Sequence, residues 1–140
     1  MFGFLERWVG MAKAIKIGNA SGFWGDRFDA PATLLRQVPD LDFLTLDYLA
    51  EVSLSIMALQ ISRNPEAGYA RDFVDVVRTL APIWMDGHPA KIVTNAGGLN
   101  PMSCAKAVAE VLAEEGVTGK TIGVVSGDDV LDELKETVGE

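Results

Sequence analysis

Hydrophobic and polar positions along the chain follow two alternating periods. Short apolar runs closed by Gly, Asn or Asp give way to longer stretches in which apolar residues recur every three or four positions, the mark of strands alternating with amphipathic helices. The pattern predicts strands near residues 14–17, 43–46, 91–94 and 121–125. Pro31 suits the first turn of a short helix through Gln37. Over 48–62, Leu49, Val52, Ile56, Leu59 and Gln60 keep mostly i, i+3, i+4 spacing and give a helix with a wide apolar face, stopped by Asn64-Pro65. A helix over 69–84 sets Phe73, Val76, Val77, Leu80 and Ile83 against Arg71, Asp75 and Arg78. Asn100-Pro101 caps and opens another, which runs to Glu115 and ends at Gly116. A last helix follows Ser126-Gly127-Asp128-Asp129.

This alternation predicts a three-layer α/β fold, with a mostly parallel, Rossmann-like sheet, right-handed crossovers and helices on both faces. The fourth strand is followed by a helix and no further strand, so the domain reads as truncated, with a large apolar face left bare. Leu5, Trp8, Val9 and Ala12 fall at helical spacing within an N-terminal extension, residues 1–13, and either Met1 or Met11 serves as the start. Residues 14–140 read as the first part of a domain.

Composition narrows the function classes. A formal net charge of −8 argues against nucleic acid and anionic membrane surfaces as partners. The single cysteine, Cys104, excludes an internal disulfide and fits a reducing cytoplasm. No apolar run approaches the roughly 18 residues of a membrane span, and charges near the N-terminus argue against a signal peptide. At 49% hydrophobic residues, the chain is rich enough for a sheet buried on both faces.

Chemistry is expected where loops leave the carboxyl ends of strands. In Asn95-Ala96-Gly97-Gly98-Leu99-Asn100-Pro101, Asn95, Gly97, Gly98 and Asn100 can form an anion nest at a helix N-terminus, or simply a tight turn with Asn100 as N-cap. After the first strand, Asn19, Ser21, Asp26 and Arg27 can bind a polar ligand, Arg27 forking onto a carboxylate or phosphate; the alternative is an Asx turn and a surface ion pair. Phe23-Trp24 reads as a packing anchor. Asp47 and Asp128 are the candidate acid–base groups, and each also suits helix capping. If Asp47, Glu51, Asp128 and Asp129 converged, a magnesium-type site would follow, but no metal is assigned. Cys104 reads as a buried helix residue and His88 as an exposed turn residue. Neither the dinucleotide fingerprint nor a P-loop is present, so no cofactor is assigned.

Taken together, Ile17-Gly18-Asn19-Ala20-Ser21-Gly22-Phe23-Trp24-Gly25-Asp26-Arg27, Leu46-Asp47-Tyr48-Leu49-Ala50-Glu51, Gly68-Tyr69-Ala70-Arg71-Asp72-Phe73, Thr94-Asn95-Ala96-Gly97-Gly98-Leu99-Asn100-Pro101 and Gly127-Asp128-Asp129 resemble the N-terminal domain of the acyclic terpene utilisation family. The match is spread in order over about 15–134, and the family's domain is longer than this chain. The resemblance implies a cytoplasmic protein of bacterial catabolism of branched acyclic terpenoids such as citronellol and geraniol, through acyl-CoA intermediates. Its expected partners are a small-molecule, free or CoA-linked ligand, the rest of the same domain, and other catabolic subunits. The full-length protein is expected to be an enzyme or, alternatively, a non-catalytic ligand-binding or scaffolding subunit. The resemblance carries over no catalytic residue, so the candidate residues rest on their placement at strand ends.

Overall fold

The computed structural model describes residues 14–138. Strands β1 (Ile17–Ser21), β2 (Phe43–Leu46) and β3 (Lys91–Thr94) form a parallel sheet in the order β1-β2-β3, so β2 is the middle one of the three described strands. The described helices are α1 (Ala30–Gln37), α2 (Glu51–Arg63), α3 (Asp72–Met85), α4 (Pro101–Glu114) and α5 (Leu131–Val138). The parallel α/β architecture is therefore as the pattern predicts.

Register decides what each sheet face carries. Ile17, Phe43 and Lys91 lie in line, as do Asn19, Thr45 and Val93, so these six share one face. Leu44 and Leu46, fully buried, lie on the other. On that buried side α3 packs between α1 and α4, and Leu35, Val77 and Leu80 fill the space with the β2 leucines. Gly18 lets α1 approach β1, because an added Cβ would lie 2.9 Å from Leu34 Cδ2 and 3.1 Å from Leu41 Cδ2. Arg78 joins α3 to α4 through Glu114 at 2.9 Å and Glu115 at 2.5 Å.

The opposite face is open among the described residues, with Ile17 65% and Val93 53% exposed. The cause is topological. Right-handed crossovers that all step in one direction along a sheet deliver their helices to one side, and β1-β2-β3 steps in one direction only. Among the described residues, then, helices cover one face of the sheet rather than both, and the open face is mixed, with Ile17, Phe43 and Val93 beside Asn19, Thr45 and Lys91.

Four expectations need correction. Residues 121–125 are not a strand here: they pair with no described strand and are exposed, Val125 at 92%. β1 begins at Ile17 rather than near residue 14, because pairing with β2 begins there, while Ile15 stays 65% exposed. The apolar face foreseen on α2 points outward, with Val52 70% and Leu59 54% exposed. The helix instead anchors through Met57, which is fully buried beside the turn at Gly98. His88 is half-buried, not an exposed turn residue: its Nδ1 accepts the Ala90 N–H at 3.1 Å, leaving Nε2–H to donate to the Leu35 carbonyl at 3.1 Å. The N-terminal extension and its alternative starts lie outside the described residues.

Candidate functional site

Parallel pairing brings the carboxyl ends of the three strands side by side, and Asp47 and Asn95 are the first residues beyond β2 and β3. Asn95 Nδ2 donates to Asp47 Oδ1 at 2.7 Å, and Asn95 Oδ1 accepts the Tyr48 N–H at 2.8 Å. These opposed demands fix the amide's orientation: the backbone N–H requires the oxygen, and the carboxylate requires the NH2. The Leu49 N–H adds a bond to Asp47 Oδ1 at 3.2 Å. On the β1 side, buried Ser21 Oγ donates to the Asp47 carbonyl at 3.2 Å, while the Asp47 N–H bonds the Ser21 carbonyl at 3.1 Å. A local irregularity after Asn19 brings Ser21 opposite Leu46 and makes this clasp possible.

Two residues down the strands, Asn19 Nδ2 donates to Thr45 Oγ1 at 3.0 Å, and that hydroxyl donates to the Gly18 carbonyl at 3.1 Å. Asn19, Thr45, Asp47, Val93, Thr94 and Asn95 line an open cleft of about 330 Å³ whose floor continues into the bare sheet face. Asn95's hydrogen bond, then the Leu49 N–H, holds the Asp47 carboxyl below its usual range. Asp47 is thus an anion at neutral pH, suited to accept a hydrogen bond or meet a positive charge. It is a weak base and a poor proton donor.

The remaining candidates sit elsewhere. Asp26 closes its own loop, accepting the Gly22 N–H at 3.0 Å and the Arg27 N–H at 2.7 Å, and these two bonds, in that order, lower its pKa. Arg27 forks onto Asp29 at 3.1 and 2.7 Å, an exposed ion pair. Four N–H groups of the Asn95–Asn100 turn are taken by protein acceptors. Ala96 bonds Thr94 Oγ1, Gly98 bonds the Asn95 carbonyl, Leu99 bonds the Gly68 carbonyl, and Asn100 bonds the Gly97 carbonyl. Asn100 caps α4 through the Ser103 N–H at 3.2 Å and donates to the Pro65 and Ala67 carbonyls, both at 2.9 Å. Gly97 and Gly98 are spaces for packing, since added Cβ atoms would meet Pro101 and Met57. Asp128 is exposed in the unpaired stretch before α5, where Asp129 Oδ1 accepts the Leu131 N–H at 3.1 Å.

Among the described residues, no three His, Cys, Asp or Glu side chains gather as a metal site would require. Cys104 is buried, and that burial pushes its thiol up to about 11, away from nucleophilic use. Sequence reasoning missed Thr45 and Val93. The signal was present in the period-two alternation, since both share Asn19's face once strands near 43–46 and 91–94 are paired in parallel. It also missed Tyr48, which is buried edge-on against Phe73 and whose N–H orients Asn95.

No described helix is long and apolar enough to cross a membrane. No curated protein and no solved structure matches the chain. A family model described as "Acyclic terpene utilisation family protein AtuA" matches residues 15–140. With nearly the whole length matched, and with the Asp47–Asn95 strand ends inside that match, the chain belongs to the acyclic terpene utilisation family.

Proposed function

We propose that this protein works in cytoplasmic catabolism of branched acyclic terpenoids of the citronellol and geraniol type, binding an acyl-CoA intermediate at the Asp47–Asn95 strand ends. The observation that carries this reading is the 2.7 Å Asn95–Asp47 bond at the rim of a cleft with Val93 in its lining. It sets a fixed anion beside an apolar surface. Asp47 repels a free carboxylate, while the thioester end of an acyl-CoA carries no charge and the pantetheine arm brings hydroxyl and amide N–H donors, with the anionic phosphates of the nucleotide end lying away from Asp47. The branched hydrocarbon then has the Val93 and Ile17 face to lie on. Arg27 lies outside the residues lining the cleft and pairs with Asp29 at the surface.

A second reading, a non-catalytic ligand-binding or scaffolding subunit of a multi-enzyme assembly, draws support from the same site. Asp47 is held as a weak base, and neither His88 nor Cys104 is among the residues lining the cleft. Substituting Asp47→Ala and Asn95→Ala in the full-length protein and growing the strains on citronellol tests both. Loss of growth with an accumulating acyl-CoA, while folding and partner association survive, supports action on the intermediate. Growth that follows association alone supports the subunit reading. Normal growth of a strain deleted for the protein, with nothing accumulating, overturns the pathway assignment.

A further inference from the structure

We propose that the outward side of α2 is a docking surface for a second copy of this chain, the two α2 helices packing antiparallel across a two-fold axis.

α2 commits little of its surface to the fold. Its buried residues are Ser53 and Met57, while among the described residues Val52 is 70%, Ile56 45% and Leu59 54% exposed. Together with exposed Arg63 these follow steps of four, three and four positions, the spacing of a coiled-coil seam. At about 100° per residue, the centre of that seam lies about 130° around the helix from Met57. Both helix ends are fastened. Ser53 Oγ accepts the Ala50 N–H at 2.6 Å and donates to the Ala50 carbonyl at 2.8 Å, and the Asn64 N–H bonds the Gln60 carbonyl at 2.9 Å. The seam is therefore displayed on a capped helix.

The polar groups beside the seam suit burial. Ser55 Oγ donates to the Glu51 carbonyl and Ser62 Oγ to the Leu59 carbonyl, both at 2.8 Å. Covering this side strands neither hydroxyl proton.

Charge selects the occupant. α2 has Glu51 at its first position, Arg63 at its last and no charged residue between them. A parallel copy would set like charges together. An antiparallel copy satisfies both ends at once and opposes the two helix dipoles favourably. With the axis midway between Ile56 and Leu59, each Ile56 meets the second copy's Leu59. Each Val52 meets the second copy's Arg63, whose long side chain then reaches Glu51. An anionic lipid surface is disfavoured, because α2 offers one basic residue and the chain carries a net charge of −8. Three apolar side chains per copy make a contact below the roughly 1,200 Å² of a standard interface, so the dimer forms at micromolar rather than nanomolar concentration.

Sedimentation velocity of the full-length protein over about 1–300 μM tests this. The apparent mass should rise about twofold across that range. Ile56→Asp and Leu59→Asp should each raise the dissociation constant at least about tenfold. Ala58→Asp, exposed on α2 but off the seam, should leave it unchanged. Far-UV circular dichroism and urea midpoints of the dilute variants separate loss of the dimer from loss of the fold. Arg63→Glu should weaken the dimer, and adding Glu51→Arg should restore it; weakening without restoration overturns the antiparallel pairing. A monomer at every concentration overturns the proposal and assigns the seam to another segment or another protein. A dimer that both aspartate variants leave intact overturns it as well. These readouts depend on neither growth nor turnover, so their failure is separate from failure of the proposed function.

Discussion

Replacing Gly98 with alanine discriminates between a glycine kept for a ligand and one kept for packing. Gly98 sits at φ +53°, in the left-handed region, where a Cβ costs roughly 1–2 kcal/mol. That Cβ would also lie 2.8 Å from the Gly68 carbonyl oxygen and press on the sulfur of Met57. Neither neighbour is free to move. Gly68's carbonyl accepts the Leu99 N–H at 2.9 Å, and Met57 is fully buried. Overpacking of this kind adds about 1–3 kcal/mol, so Gly98→Ala should cost about 2–5 kcal/mol in all. Gly116→Ala isolates the backbone share, since Gly116 has φ +73° and nothing within 4 Å of its Cβ position; it should cost about 1–2 kcal/mol. Urea unfolding of the two variants gives the difference directly. Adding Met57→Ala to Gly98→Ala should cost less than the two separate changes summed, by about 1–3 kcal/mol. Equal midpoints for Gly98→Ala and Gly116→Ala, with strict additivity in the double variant, would refute the packing account and return Gly98 to a role in ligand approach.

Further outcomes follow from the same coordinates. The Asp47 pKa is lowered on folding, so the Asp47–Asn95 bond stabilises the protein above the unfolded value near 3.8 and is lost as pH falls through the folded value. The urea-midpoint gap between wild type and Asn95→Ala should therefore shrink between pH 7 and about pH 3, and a constant gap would contradict that. Asn100→Ala removes the α4 cap and both donors to the Pro65 and Ala67 carbonyls, and should destabilise by about 1–3 kcal/mol in thermal or urea unfolding. Cys104 should react with a disulfide dye at pH 8 roughly a hundredfold more slowly in the native protein than in urea, because its thiol is buried and pushed up to about 11.

Legibility in the sequence followed how local each determinant was. β2 and β3 formed where the apolar pattern ended in Asp47 and Asn95, because a run of alternating side chains and a polar stop are local facts. β1 was misplaced by three residues because its second half, Asn19-Ala20-Ser21, has a loop's composition. Those residues become strand only because Thr45 offers Asn19 a partner and Ser21 clasps the Asp47 backbone. α2 shows the reverse: its helical spacing was readable, but which side is buried depended on Met57 meeting the distant Gly98 turn. Both members of the Asp47–Asn95 pair stood out as strand-end residues. Their bond spans 48 positions and required the register that sets Leu46 beside Thr94. The glycines of the Asn95–Asn100 turn were legible as a need for close approach; what approaches them, Met57 and Pro101, was not.

Sheet order also explains why the cleft is shallow. Deep crevices in open α/β sheets form where the strand order reverses and the two flanking loops part to opposite faces. Among the described strands the order does not reverse. Asp47 and Asn95 therefore share a rim rather than face each other across a gap, and the cleft opens onto bare sheet. A reversal needs a later strand on the other side of β1, which would leave β1 flanked on both edges and place Asn19 and Ser21 at the parting of the loops. Asn19 already bonds Thr45, and Ser21 already holds the Asp47 carbonyl. Through those two bonds β1 steadies the part of β2 that carries Asp47, without touching the carboxylate itself.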